Sequence, residues 1–220
     1  MKKVAFLFAG QGAQYVGMGR DLYKNFDCVR GLFDLANESL GYDLLDICFN
    51  GPEEVLKQTE NTQPAVYMMD VAIYNILKSH GIKPQMVAGL SLGEYAALTA
   101  AESIDFDDGV GLVRKRAIFM QEAVPLGEGG MAAILGLSAE DVERCCAMVK
   151  DVGVVEPANY NCPGQVVISG TAKAVNKACE YAKDMGAKRA IPLAVSAPFH
   201  CSLLEPAAFK LKEQLDKLHI

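Results

Sequence analysis

"PQMVAGLSLGEYAALTAAES", residues 84–103, decides how this chain folds. Its first part, "PQMVAGLS", is a short apolar run of the kind that forms a buried strand. The second part, "LGEYAALTAAES", is rich in alanine and leucine and reads as a helix. Between them "GLSLG" (89–93) fits the pattern G-x-S-x-G. That pattern needs a strand before the serine and a helix after it, and both are present. Small flanking residues let the chain turn sharply and lift the Ser91 hydroxyl clear of the sheet. The helix N-terminus behind Ser91 offers N–H groups and a positive dipole end to a developing oxyanion. A tight turn carrying an idle serine is the plain alternative.

A strand that runs directly into a helix is the repeating unit of a parallel sheet with crossovers. Upstream, "VAFLFAG" (4–10) reads as a buried strand ending in Gly10. "DLYKNFDCVRGLFDLANESL" (21–40) carries Leu22, Phe26, Val29, Phe33 and Leu40 at helical spacing. "NTQPAVYMMDVAIYNILKSHG" (61–81) opens with capping residues and Pro64, runs helically and stops at Gly81. Downstream, "FDDGVGLVRKRAIFMQEAV" (106–124) is again helical.

The pattern changes after "PLGEGG" (125–130). Strand "MAAILGL", helix "SAEDVERCCAMVKD" and strand "VGVVEPANYN" are followed by strand "QVVISG", helix "TAKAVNKACEYAKDMG" and strand "AKRAIPLAV". The order β-α-β-β-α-β is ferredoxin-like. The expected class is therefore α/β, with a parallel-sheet core over 1–127 and 198–220 and an inserted ferredoxin-like subdomain over 128–197. The last stretch, "LLEPAAFKLKEQLDKLHI" (203–220), is helical, with Leu204, Ala208, Leu211, Leu215 and Leu218 on one stripe. Such a stripe needs a surface to pack on, and self-association through it is expected.

Composition narrows the function. The 220 residues are 51% hydrophobic and 22% charged, with a formal charge of −6. That is the balance of a globular chain, and it argues against a nucleic-acid partner, which needs clustered Lys and Arg. The seven cysteines include no C-x-x-C pair, so reduced buried thiols are expected rather than disulfides or a zinc site. No run approaches the roughly 18 apolar residues of a membrane span. "MKKVAFLFAG" is too short in its apolar part for a signal peptide, and a polar glycine-rich turn follows at once. A cytoplasmic chain is expected.

A serine nucleophile needs a base within reach. Of the three histidines, His80 ends a helix, His219 lies next to the last residue, and His200 sits in "SAPFHCSLL" (196–204). That Pro-containing turn lies where the ferredoxin-like segment ends, and connections of this kind collect catalytic side chains. His200 is the best base by elimination, with a structural histidine as the alternative. Arg116, in "RKRAIFMQEA" (114–123), lies beside the apolar face of its helix. Partly buried, it would suit bidentate capture of a carboxylate; the alternative is a surface arginine in a basic cluster.

The loop "FAGQGAQYVGMG" (8–19) has the form of a phosphate cradle but lacks its parts. A dinucleotide fingerprint needs Gly where Tyr15 stands, and a P-loop needs Lys-Ser/Thr after glycine where Met18 follows Gly17. What remains is a turn at the C-terminal end of a core strand, with N–H groups suited to an acyl oxyanion.

Taken together, "FAGQGAQYVGMG", "TQPA" (62–65), "GLSLGEYAAL", "RKRAIFMQEA", "ANYNCPGQVVISG" (158–170) and "SAPFHCSLL" resemble, in order and spacing, the malonyl-CoA:acyl-carrier-protein transacylases, the acyltransferases of fatty-acid and polyketide synthesis. The resemblance covers essentially the whole chain. It implies an α/β-hydrolase-like core with an inserted ferredoxin-like subdomain. It also implies ping-pong transfer of malonyl from malonyl-CoA to the phosphopantetheine thiol of acyl carrier protein. Ser91 would be the nucleophile and His200 its base and later acid. The N–H groups of Gln11 and Leu92 would form the oxyanion hole. Arg116 would pair with the malonyl carboxylate, Gln63 and Asn159 would line the pocket, and Phe199 resembles the malonyl-using members. No metal, and no cofactor beyond the CoA thioester, is implied.

Two departures stand out. The family has His where this chain has Leu90, which makes the neighbour of the nucleophile apolar. The family's chain also continues beyond position 220, with further core elements and a carbonyl that orients the catalytic histidine. An unoriented base would slow the chemistry. The competing readings are a serine esterase or thioesterase, which would have no use for Arg116, and an inactive binding module.

Overall fold

The computed structural model describes residues 3–218, so His219 lies outside the described residues. The chain divides into two compact units, Met1–Ile118 with Lys212–Ile220, and Phe119–Leu211.

The first unit is built on β1 (Ala5–Phe8) and β2 (Met86–Gly89), which pair in parallel with Phe6 opposite Val87 and Phe8 opposite Gly89. Around them lie α1 (Arg20–Asn25), α2 (Asp27–Leu40), α3 (Leu44–Asn50), α4 (Glu53–Leu56), α5 (Thr59–Ser79), α6 (Gly93–Ala100) and the start of α7 (Phe106–Ala123). The core joins Phe8 of β1 to Val29 and Phe33 of α2, Tyr67, Met68 and Val71 of α5, and Ala96 of α6. Tyr74 of α5 meets Phe6 and Phe8 edge-on, at centroid distances of 6.1 and 6.4 Å. This fastens the long helix under the first strand.

Two local details differ from the sequence pattern. The helix expected over 21–40 is broken at Phe26, whose backbone is extended (φ −129°, ψ 115°). The break is stable because the Arg30 guanidinium reaches back to the carbonyls of Tyr23 and Lys24, at 2.9 and 3.1 Å. Those are C-terminal carbonyls that the end of α1 leaves without helical partners. Helix α5 begins at Thr59 rather than at Asn61, with Pro64 inside it. Pro64 is the sixth residue of this helix, past the first-turn N–H groups, so it removes one donor from the ladder, the one that would serve the Glu60 carbonyl.

The second unit contains β3 (Gly129–Leu135), α8 (Ala139–Ala147), β4 (Val155–Cys162), β5 (Gln165–Thr171), α9 (Ala172–Asp184), β6 (Arg189–Pro192), a 3-10 turn (Ser202–Leu204) and α10 (Glu205–Leu215), which runs on past the unit's end. Its sheet has the spatial order β4-β5-β3-β6, with antiparallel pairing throughout, as a ferredoxin-like unit requires. Both faces are covered. Ala132, Ile134, Val166 and Ile168 pack on Val142, Cys146, Val175 and Ala178 of α8 and α9. Met131, Ala133 and Val167 pack on Met120, Val124, Phe199 and Leu204. Burial on both sides is why "MAAIL" and "VVI" read as continuous rather than alternating apolar runs.

The cysteines are all free thiols. Cys48, Cys145, Cys146 and Cys179 are buried, but Cys28 and Cys162 are exposed, which corrects the expectation that the thiols are interior. The terminal stripe is also only partly covered: Leu204 is buried, Leu211, Leu215 and Leu218 are half-buried, and Ala208 is exposed. No described helix is long and apolar enough to cross a membrane.

Candidate active site

The turn at Ser91 is sterically demanding, and three glycines make it feasible. Ser91 has φ 54°, in the left-handed region that a non-glycine residue enters only under constraint. A Cβ on Gly89 would run into the carbonyl of Gly93. A Cβ on Gly93 would lie 2.7 Å from the Ala9 carbonyl oxygen, and one on Gly10 would lie 2.8 Å from the Leu90 carbonyl oxygen. The glycine-rich loop after β1 and the turn after β2 are therefore in backbone contact. The Leu90 N–H, which donates to the Phe8 carbonyl at 3.3 Å, stitches them together.

Helix α6 begins immediately behind the serine, with Leu92 as its buried N-cap. Among the described residues, neither the Leu92 N–H nor the Gln11 N–H donates to another backbone group. The two groups expected as oxyanion donors are thus not taken up by a backbone partner.

Arg116 is buried, with 7% of its surface exposed, so the surface-arginine alternative is set aside. Its Nη1 donates to Gln63 Oε1 at 2.8 Å and its Nη2 to Ser91 Oγ at 2.9 Å. The guanidinium carbon lies 5.5 Å from the Tyr95 ring centroid, a cation–π arrangement. Among the described residues no carboxylate forms an ion pair with it. Burial lowers the Arg116 pKa from its ordinary value, with Tyr95 and Glu94 pulling the other way. Burial in turn raises that of Tyr95, against the pull of Arg116. A buried cation without a paired anion is costly, and a bound carboxylate would relieve that cost.

Gln63 links the guanidinium to the glycine-rich loop: its Nε2 donates to Gln11 Oε1 at 3.4 Å, and Gln11 Nε2 donates to Thr59 Oγ1 at 3.5 Å. Ser91, Leu92, Arg116, Gln63 and Gln11 thus form one constellation in the first unit. Tyr95 belongs with them although the sequence reading passed over it. Its signal was available, since it lies one helical turn beyond Ser91.

Asn159, Phe199 and His200 belong to the second unit. Asn159 is half-buried on β4, opposite Val167, beside an irregularity in the strand pairing. Phe199 is buried in the apolar cluster with Met120 and Leu204. His200 is exposed, with φ 61°. Its loop is held on both sides. Pro198 packs so closely on Gly129 that no side chain fits there, and Ser202 donates to Glu156 from its backbone N at 2.8 Å and its hydroxyl at 2.7 Å. Leu90 is 58% exposed. Among the described residues no group of three or more His, Cys, Asp or Glu side chains is placed to hold a metal.

Comparisons with known proteins agree with one another. The model of the acyl transferase domain matches residues 5–220. The malonyl CoA-acyl carrier protein transacylase of Bacillus subtilis (strain 168) is 53% identical over 221 residues, covering 100% of this chain and 70% of that protein. The solved structure of the malonyl CoA-acyl carrier protein transacylase from Clostridium perfringens ATCC 13124 is 51% identical with a TM-score of 0.95, covering 100% of this chain and 69% of that one. A malonyl-transacylase solved in complex with its type II PKS acyl-carrier protein is 46% identical with a TM-score of 0.96, covering 99% of this chain and 71% of that one. The chain thus spans about 70% of the length of the relatives it matches.

Proposed function

The chain belongs to the acyl transferase domain family, and on that premise we propose that it transfers a malonyl group from malonyl-CoA to the phosphopantetheine thiol of an acyl carrier protein. Ser91 Oγ attacks the thioester carbonyl while His200 takes its proton. The carbonyl oxygen becomes an oxyanion held by the N–H groups of Gln11 and Leu92. The C–S bond breaks, the CoA thiolate leaves with the proton from His200, and malonyl remains esterified to Ser91. The carrier-protein thiol then repeats these steps in reverse, its proton passing through His200 to Ser91. Arg116 holds the free carboxylate of malonyl, and Gln63 keeps the guanidinium in place. Asn159 and Phe199 take the acyl-lining parts that the family pattern assigns to them. The functional partition is an α/β core over 1–127 and 198–220, with 128–197 as its inserted subdomain.

The observation that carries this reading is the buried Arg116 guanidinium beside the Ser91 hydroxyl, with no carboxylate of the described chain paired to it. An esterase of neutral acyl groups has no use for such a cation. A cytoplasmic setting fits seven cysteines without a disulfide.

The test is incubation with malonyl-CoA followed by intact-mass and peptide mass spectrometry. A malonyl adduct on the Ser91 peptide, absent in Ser91→Ala, and its discharge to carrier-protein thiol faster than to water are expected. A folded sample that gains no adduct would sink the reading; discharge to water alone would make it a thioesterase.

A further inference from the structure

Thr59, the first residue of α5, takes no part in the steps above. It lies one helical turn before Gln63, so both side chains project from the same face of the helix. Both are buried, Thr59 with 2% and Gln63 with 1% of its surface exposed. The Gln11 carboxamide spans them. Its Oε1 accepts from Gln63 Nε2 at 3.4 Å, and its Nε2 donates to Thr59 Oγ1 at 3.5 Å.

The direction of these bonds follows from the cation at their far end. A guanidinium has only donors, so Gln63 turns its oxygen to Arg116 Nη1, which it meets at 2.8 Å. That leaves the Gln63 NH2 group for Gln11, which must then present its own oxygen. The Gln11 NH2 group in turn needs an acceptor, and Thr59 Oγ1 supplies it. One buried charge thus fixes which way two amides face. Neither amide bond is short, so the hold lies in burial and in this fixed polarity rather than in the strength of one contact.

The other attachments of the loop flank Gln11. Gly10 packs against the Leu90 carbonyl, and the Gly12 N–H donates to Gln14 Oε1 at 2.8 Å. The Gln11 N–H stands between them, and the Gln11 side chain fastens that point of the loop to α5.

We infer that Thr59 is a positioning residue for the oxyanion loop: by accepting from the Gln11 carboxamide at the end of the chain Arg116–Gln63–Gln11–Thr59, it sets where the Gln11 N–H stands. This rests on the role of Gln11 proposed above. A hydroxyl oxygen at position 59 is the requirement; serine meets it and the isosteric valine does not.

The experiment measures Ser91 acylation at saturating malonyl-CoA and acetyl-CoA in the wild type, Thr59→Val and Thr59→Ser. The rate constant should fall about tenfold in T59V, the effect of a displaced oxyanion donor. The fall should be the same for the two acyl groups, because the oxyanion hole serves both, and KM should be retained. T59S keeps the acceptor and should return to within about twofold of the wild type. In a Gln11→Leu background, which keeps the backbone N–H and removes the carboxamide, T59V should cost nothing further. A purely structural threonine would show its loss there as well. Wild-type rates in T59V, a loss confined to malonyl, a T59S as slow as T59V, or an undiminished T59V effect in Q11L would each overturn the inference. If T59V lacks a cooperative urea transition, Thr59→Ala takes its place in every arm.

A second measurement needs no substrate. Exchange of the Gln11 side-chain NH2 protons, followed by NMR, should be about tenfold faster in T59V than in the wild type, the loss of one hydrogen bond. Unchanged exchange would overturn the inference. If instead Ser91 is never malonylated in the wild type while the exchange responds as described, the failure belongs to the proposed reaction and not to the Thr59–Gln11 contact.

Discussion

Arg116 Nη2 donates a 2.9 Å hydrogen bond to Ser91 Oγ, so the buried cation and the hydroxyl of the elbow share one hydrogen bond. The pair comes from α7 and from the turn after β2, and Gln63 of α5 completes the support from the other side of the guanidinium. Among the described residues its hydrogen bonds go to the neutral acceptors Gln63 and Ser91, with the Tyr95 ring beside it and the Glu94 charge acting at longer range. That leaves it suited to exchange the serine contact for an incoming carboxylate.

Arg116→Ala should therefore reduce malonyl-serine formation about 100-fold or more, since two charge-assisted bonds to the carboxylate are lost. Acetyl transfer should fall far less. Gln63→Glu tests the same point from the protein side, because the new carboxylate would occupy the guanidinium and compete with malonyl. Initial rates of Ser91 acylation with malonyl-CoA and acetyl-CoA measure both. Equal losses for the two acyl groups in R116A would remove the clamp from the mechanism.

The glycines of the elbow should not tolerate a methyl group. Gly89→Ala forces a Cβ into the Gly93 carbonyl and should cost about 1–3 kcal/mol, with loss of Ser91 acylation. Gly111→Ala is the matched control. It lies inside α7, where an added Cβ would meet nothing within 4 Å, so it should stabilise by about 0.5–1 kcal/mol. Urea unfolding of the two variants checks the sign of each effect.

Stability should depend on Asp70 with a definite sign. Burial raises its folded pKa from 3.8 to about 7, so the neutral carboxyl is the form that the fold prefers. The associated stability is complete below the unfolded value, near 4, and is lost as pH rises through about 7. Between pH 5 and 8 the wild type should lose more stability than Asp70→Asn, as measured by urea midpoints at each pH. Parallel pH dependence in the two proteins would contradict this.

Self-association should follow from the apolar surface. Phe209 of α10 is 64% exposed, and among the described residues Leu7 of β1 is 81% exposed. We expect concentration-dependent association in sedimentation velocity, reduced by Phe209→Lys, which places a charge on the terminal helix. A wild type that stays monomeric at high concentration would rule this out.

Much of the architecture was legible in local pattern. "GLSLG" between an apolar run and an alanine-rich run specified a strand, a turn and a helix. The periods of "MAAILGL" through "AKRAIPLAV" specified the β-α-β-β-α-β order, because side-chain periodicity is set by the element itself. Tertiary structure decided what periodicity does not encode. The break at Phe26 depends on Arg30 reaching back to two carbonyls. The burial of Arg116 depends on Gln63 and Ser91, 53 and 25 positions away in the chain. The sequence by itself determined which elements form and which residue types they carry. Only the tertiary structure decided which side chains lose their water and which partners replace it, because desolvation is a property of distant segments brought together.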